Sequence, residues 1–208
     1  MKNVKLIMLL FLVSSCSLLF PDGIALNPTT YSYEYLTIGK TIDYTQGKFI
    51  IAPTTFNRTD KGIELEYVYE FFKHKLKENA TKTRYIKDRN GREKFPFNIN
   101  YDNGLENIDV LATFCQEYQF LVLTKTVYMH ESRDIHAGSD YVLNSDTRAG
   151  AISYIKVLDL ENKNVYFEMA CSADVNITEE EDRGLGNMHK NSYKLGEKTM
   201  KKILKKIK

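Results

Sequence analysis

Residues 130–136 read HESRDIH and gather His130, Glu131, Asp134 and His136 into one short stretch. Imidazoles and carboxylates at that density offer two chemistries: ligands for a divalent metal, or an acid and a base for proton transfer. Their spacing matches no strong ligand motif. The polar run continues to Asp140, so the stretch reads first as a solvated loop between strands and only second as the site of a metal-dependent enzyme. Other catalytic signatures are missing from the sequence. No serine sits in G-x-S-x-G, no P-loop occurs, and Gly184-Leu185-Gly186 does not follow a strand as a dinucleotide fingerprint must. No catalytic residue, resident metal or cofactor is therefore expected.

The cysteines carry a second kind of chemistry. Cys16 closes an apolar run, Leu6 to Val13, that follows Lys2 and Lys5. A basic start, a short apolar core and small residues make a secretory signal. Eight residues rise only about 12 Å as a helix, far short of a bilayer core of about 30 Å. Val13-Ser14-Ser15-Cys16 resembles the bacterial lipobox: an aliphatic residue, two small ones, then cysteine. That resemblance implies removal of residues 1–15 and acylation of Cys16. A competing reading extends the apolar region to Phe20 and cuts after Ala25, in Gly23-Ile24-Ala25, releasing a soluble exported ligand-binding domain that begins at Leu26. The lipobox is the preferred reading. Cys115 and Cys171 remain in either case. They form one disulfide, as exported domains allow, or stay as two separate buried thiols on strands, which is preferred.

With 43 % apolar and 27 % charged residues the chain is globular in composition. The net charge of +2 comes from the signal: 29 basic side chains less Lys2 and Lys5 equal the 27 acidic ones. Global charge gives no reason to expect nucleic acid. Asn57, Asn79 and Asn176 head N-x-S/T triplets, which matter only where exported proteins are glycosylated.

These residues need a scaffold. Residues 16–46 read as a lipidated N-terminus and tether, ending in the extended TTYSYEY stretch, whose tyrosines suit an edge strand. Residues 47–208 read as one domain. KFIIAP, residues 48–53, is a strand stopped by Pro53. Asp60 is placed to cap a helix from Lys61 to about Asn79, with Leu65, Val68, Tyr69, Phe72 and Leu76 on one stripe. TRYI, residues 83–86, reads as a short strand, and Asn90-Gly91 as a tight turn. Strand composition dominates from Ile108 to Met129. Two further strands, about 150–159 and 164–176, flank LENKN. In the second, Val165, Phe167, Met169, Cys171, Ala173 and Val175 alternate with more polar residues, so all six should face inward. Thr178 with Glu181 fits a capping box for a final helix. Its lysine-rich end suits the helix dipole and reads as a docked helix with a solvated lysine face, ahead of a lipid-binding one. The expected fold is α/β (α+β): a mixed, mostly antiparallel sheet packed by two main helices.

KFIIAP, the amphipathic helix, IDVLATF at 108–114, the hairpin ISYIKVLDLENKNVYFEMACSADV and the lysine-rich helix resemble, as a layout, envelope lipoproteins of the LpoB and CsgG type. The "v.D...g.v" hairpin of that plan is matched by Val157, Asp159 and Val165, with Asn164 where glycine is common. Asp159 is expected to shape the turn. The resemblance implies no catalytic residues and no cofactor. It implies a module held at a membrane through its N-terminal lipid, touching other envelope proteins. For a bacterial source, Ser17 in place of an inner-membrane retention Asp implies an outer membrane lipoprotein facing the periplasm; for any other source the chain reads as secreted.

Overall fold

The structure, a computed structural model, describes residues 24–26, 28–37, 41–57, 59–87, 90–96, 98–129, 135–136, 141–143, 149–175 and 186–207. Its centre is an eight-stranded mixed sheet. The hairpin of β10 (Gly150–Asp159) and β11 (Asn164–Val175) forms the middle, with β2 (Thr29–Tyr35) outside β11 and β7 (Phe120–Tyr128) outside β10. All three pairings are antiparallel. Beyond β7 the sheet turns parallel, through β3 (Phe49–Ile51) and then β6 (Ala80–Lys82). The hairpin of β4 (Thr54–Phe56) and β5 (Thr59–Ile63) joins β7 where β3 ends. A second, four-stranded sheet runs β1 (Ile24–Leu26), β12 (Gly186–Lys190), β9 (Tyr141–Leu143), β8 (Ile135–His136).

Period-two alternation on the central strands gives the sheet two buried faces. Phe49, Val122, Ile155, Val157, Phe167, Met169 and Cys171 point to one face. There α1 (Glu66–Leu76) adds Val68, Phe72 and Leu76, and α3 (Ser192–Lys206) adds Met200, Ile203 and Leu204. Ile50, Leu121, Leu123 and Leu158 point to the other, under α2 (Ile108–Phe114), whose Ile108 and Leu111 pack with Ile99, Tyr101 and Cys115. The helix α3 approaches closely because of Gly196. A Cβ there would lie 2.7 Å from the Tyr128 ring and 2.8 Å from Thr126 Cγ2. Ser153, Thr126 and Thr199 fill this tight contact with buried hydroxyl pairs at 3.0 and 2.8 Å.

Several local expectations are corrected. The helix expected from Lys61 starts at Glu66, and Asp60 lies in β5 rather than at a cap. Gly62 disfavours helix, and it passes so near Pro53 that a Cβ would meet Pro53 Cβ at 2.8 Å. IDVLATF is a helix, not a strand. Its composition is strand-like, but Ile108, Leu111 and Cys115 recur at helical spacing and bury one stripe. Thr83–Tyr85 is one 3-10 turn, and the strand is the preceding Ala80–Lys82. The last helix begins at Ser192, after β12. Its cap is Asn191, whose side chain accepts from the Lys194 amide at 2.8 Å; Thr178 and Glu181 lie outside the described residues. TTYSYEY is β2 itself, so the domain starts well before residue 47. Five of the six inward residues of β11 hold. Val165 does not, because a register shift between Val157 and Leu158 turns it to the opposite face, where it packs against the α2 cluster.

Asp159 shapes the turn as expected. Its Oδ1 accepts from the amides of Glu161 and Asn162 at 3.0 and 2.9 Å, and Lys163 takes the positive φ of 54°. Gly91 has φ +76° in the turn between the bridged Lys87 and Glu93.

Candidate functional site

The lysines of α3 and the basic end of α1 meet. Both helices lie on one face of the sheet, each burying its apolar stripe, so their polar flanks face each other across a groove of about 380 Å³. Tyr67, Phe71 and Leu204 line its floor, and His74, Lys75, Lys201 and Lys205 its rim. None of these lining residues is acidic. The nearby acid, Glu197, is already engaged: its carboxylate accepts from Lys201, one turn on, and from Lys194 at 3.1 Å. Those bonds, from Lys201 first and Lys194 second, hold the Glu197 carboxyl below its usual range.

Aromatic rings stiffen the groove from behind. Tyr44 meets Phe71 edge-on at 6.3 Å and Phe72 at 6.4 Å. Its hydroxyl donates to the Ile207 carbonyl at 2.7 Å, which ties the segment before β3 to the end of α3. Lys75 sits 5.9 Å over the Tyr44 ring and Lys201 5.2 Å over Tyr67. Burial pushes both phenols far above their usual range, so neither is an acid at neutral pH. The groove can hold an anion beside an apolar group.

On the opposite face a buried cluster is closed on itself. Lys156 pairs with Glu168 at 3.2 Å, donates to the Tyr101 carbonyl at 3.3 Å and lies 4.2 Å over the Tyr101 ring. The Tyr101 hydroxyl donates to the same Glu168 oxygen at 2.5 Å. Burial, then that bond, drives the Tyr101 phenol far upward. Lys82, Glu64, Glu66 and Arg84 form a second network at the β6 edge, with Lys82–Glu66 at 2.8 Å and Arg84–Glu64 at 3.0 Å. An open cleft of about 790 Å³ lies beside the β4–β5 hairpin, lined by Pro53, Thr55, Phe95, Pro96, Asn98 and Asn100 among others.

Of the residues singled out in the sequence, most lie outside the described residues. Cys16 lies outside the described residues, as do 130–134 of HESRDIH; only the backbone of Ile135–His136 is described, as β8. Among the described residues no group of three or more His, Cys, Asp or Glu could hold a metal ion. Cys115 and Cys171 are both free and buried. The possible disulfide is corrected: the two thiols belong to the clusters on opposite faces of the sheet. Burial pushes each thiol up to about 11. The groove was the part missed. Each basic run was visible, but their meeting depends on the mixed sheet, whose parallel β3–β6 part seats α1 beside the α3 carried by β10 and β11.

Neither a protein-family model nor a curated protein matches this sequence. Solved structures that overlap it in part include the following two. One is a PelC dodecamer from Paraburkholderia phytofirmans, 9% identical, covering 70% of this chain and 80% of that one, with a TM-score of 0.36. The other is a point variant of that dodecamer, 10% identical, covering 71% and 83%, with a TM-score of 0.35. Likeness at that level carries no functional inference.

Proposed function

We propose that this protein is a membrane-anchored envelope lipoprotein, acting without catalysis through contacts made by its folded domain. The observation that carries the reading is Val13-Ser14-Ser15-Cys16 after a basic start and a short apolar run. Cys16 is the lipid attachment point, and two or three acyl chains make the anchor stable, since one alone is marginal. In a bacterium with an outer membrane, the domain faces the periplasm.

Two features of the fold support this reading. Cutting after Ala25 would sever β1, in which Ala25 pairs with Asn187, whereas cutting before Cys16 leaves it whole. The eight residues from Cys16 to Gly23, ahead of β1, span at most about 28 Å, which keeps the domain near its bilayer. Among the described residues no helix is long and apolar enough to cross a membrane. We read the basic groove as the surface for the domain's contacts, because its charged rim carries one sign around an apolar floor. It fits an acidic segment of an envelope protein that also presents an apolar side chain.

Intact mass of the protein from its native host tests the anchor. The expected chain begins at Cys16 and carries diacylglycerol, and Cys16→Ala moves it out of the membrane fraction. An unlipidated chain beginning at Leu26 would sink the proposal. Lys75→Glu with Lys205→Glu should remove most cross-links to neighbouring envelope proteins while leaving the anchor intact.

A further inference from the structure

The two edges of the main sheet are finished differently. Strand β6 is short and ends at Lys82, which is buried in an ion-pair network. Strand β2 runs for seven residues, TTYSYEY, with no lysine, no proline and no register shift against β11. Among the described residues no strand pairs with its outer side. Natural sheets blunt such an edge with charge, proline or a bulge, because an open row of N–H and C=O groups invites another strand. Large apolar side chains collect here as well: Tyr33, Tyr35 and Leu36 are 39 %, 48 % and 44 % exposed.

We propose that β2 is the interface between two copies of this chain, paired antiparallel about a two-fold axis at Ser32. The backbone fixes which groups are available. The Leu36 amide donates to the Glu168 carbonyl on the β11 side. Because the direction alternates along a strand, Thr30, Ser32 and Glu34 aim at β11 and Thr29, Tyr31, Tyr33 and Tyr35 aim outward. An axis at Ser32 pairs Thr29 with Tyr35 and Tyr31 with Tyr33 of the second copy, so all the outward groups bond across the edge. Centring on Tyr33 instead would leave Thr29 and Thr30 opposite residues beyond the strand.

The side chains agree with the register. Glu34, the only charge in the strand, falls opposite Thr30 and not opposite itself. Tyr31 and Tyr33 share the α3 face, where Lys202 lies 4.2 Å over one ring and Lys206 5.8 Å over the other. Pairing two copies joins these rings into one aromatic row across the axis, with the helices of both copies on the same side. This inference stands apart from the lipid anchor, since it needs only the folded domain.

Ser32→Cys tests the register in the full chain, within its host's envelope. Across the axis the Cα atoms of the two substituted residues are about 4.5–5.5 Å apart, within disulfide range. With Glu34→Cys the two Cα atoms would be about 14 Å apart in the same register, which is too far. Mild oxidation should give a reducible dimer with Ser32→Cys at least ten-fold more abundantly than with Glu34→Cys. Both the membrane and soluble fractions are read, so loss of the anchor does not mask the result. Equal dimer from both variants, no dimer from Ser32→Cys, or an adduct of its new thiol with a different protein overturns the proposal. Sedimentation of the unmodified protein in detergent should give the mass of two chains. Tyr33→Pro, which removes an outward N–H and the ring beside Lys206, should give the mass of one chain that still unfolds in a single cooperative transition. A monomeric parent, or a dimer that survives Tyr33→Pro, also overturns it.

Discussion

The two faces of the main sheet are buried by different means. Under α1 and α3 the contact is mostly apolar: Phe49, Phe72, Val122, Ile155, Met169, Met200 and Ile203 interlock, and buried hydroxyl pairs enter at Thr54–Thr124 and where Gly196 brings helix to strand. Under α2 and the segment before it, apolar packing ends at Tyr101, where Lys156 lies over the ring and Glu168 accepts from its hydroxyl. The first face gains free energy from area removed from water. On the second, much of that gain is lost to desolvating a charged pair, which its bonds only offset. The α1–α3 face therefore gains more from burial, and the charged pair fixes where Tyr101 sits.

Substitutions on the two faces should separate these roles. Phe72→Ala, at a fully buried ring, should cost about 3–5 kcal/mol. Urea unfolding would show it as a lower midpoint at unchanged slope, and a loss below about 1 kcal/mol would contradict a mostly apolar, rigid face. Lys156→Ala should cost about 3 kcal/mol, because it strands the Glu168 carboxylate in a largely buried place. Lys156→Met with Glu168→Gln should recover most of that loss, since glutamine still accepts from Tyr101; no recovery would mean that the charges themselves are needed. One thiol reports on each face. With both held near 11 by burial, only about one in a thousand is thiolate at pH 8, so Cys115 and Cys171 should resist maleimide until the protein unfolds. Rapid labelling of one alone would show that its face opens. The smallest effect is at Glu197, whose pKa is lowered in the folded state. Its contribution is present above the unfolded glutamate pKa and is lost as pH falls through the lower folded value. Glu197→Gln should slightly flatten the acid side of the stability–pH curve, which thermal melts between pH 7 and pH 3 would detect.

The strands β7, β10 and β11 could be read from sequence because long alternating runs leave few other ways to bury one side. The Asp159 turn was legible for a local reason: a carboxylate bonds the amides two and three residues on wherever the chain reverses. IDVLATF misled because a seven-residue helix is too short for composition to reveal its period. Thr178 and Glu181 met the pattern of a helix start, but Asn191 is the cap that the helix uses. Val165 could not be placed, since one extra residue in β11 decides its face and only the partner strand defines that insertion. The groove was beyond sequence for a different reason. Its rim comes from helices more than a hundred residues apart in the chain, and no local pattern records that they are neighbours.

The mates of β2 lie far along the chain. Thr29–Tyr35 pairs with Met169–Val175, and Tyr44 is tied to Ile207. A polypeptide made from its N-terminus must carry a tyrosine-rich strand without its neighbour until nearly the whole chain exists. Contacts this distant close slowly, because the loop entropy is lost before the contact compensates for it. The step that completes the sheet is therefore a late one, and in that interval β2 has two open edges instead of one. Conditions that slow the last part of folding should favour aggregation through this strand before any other.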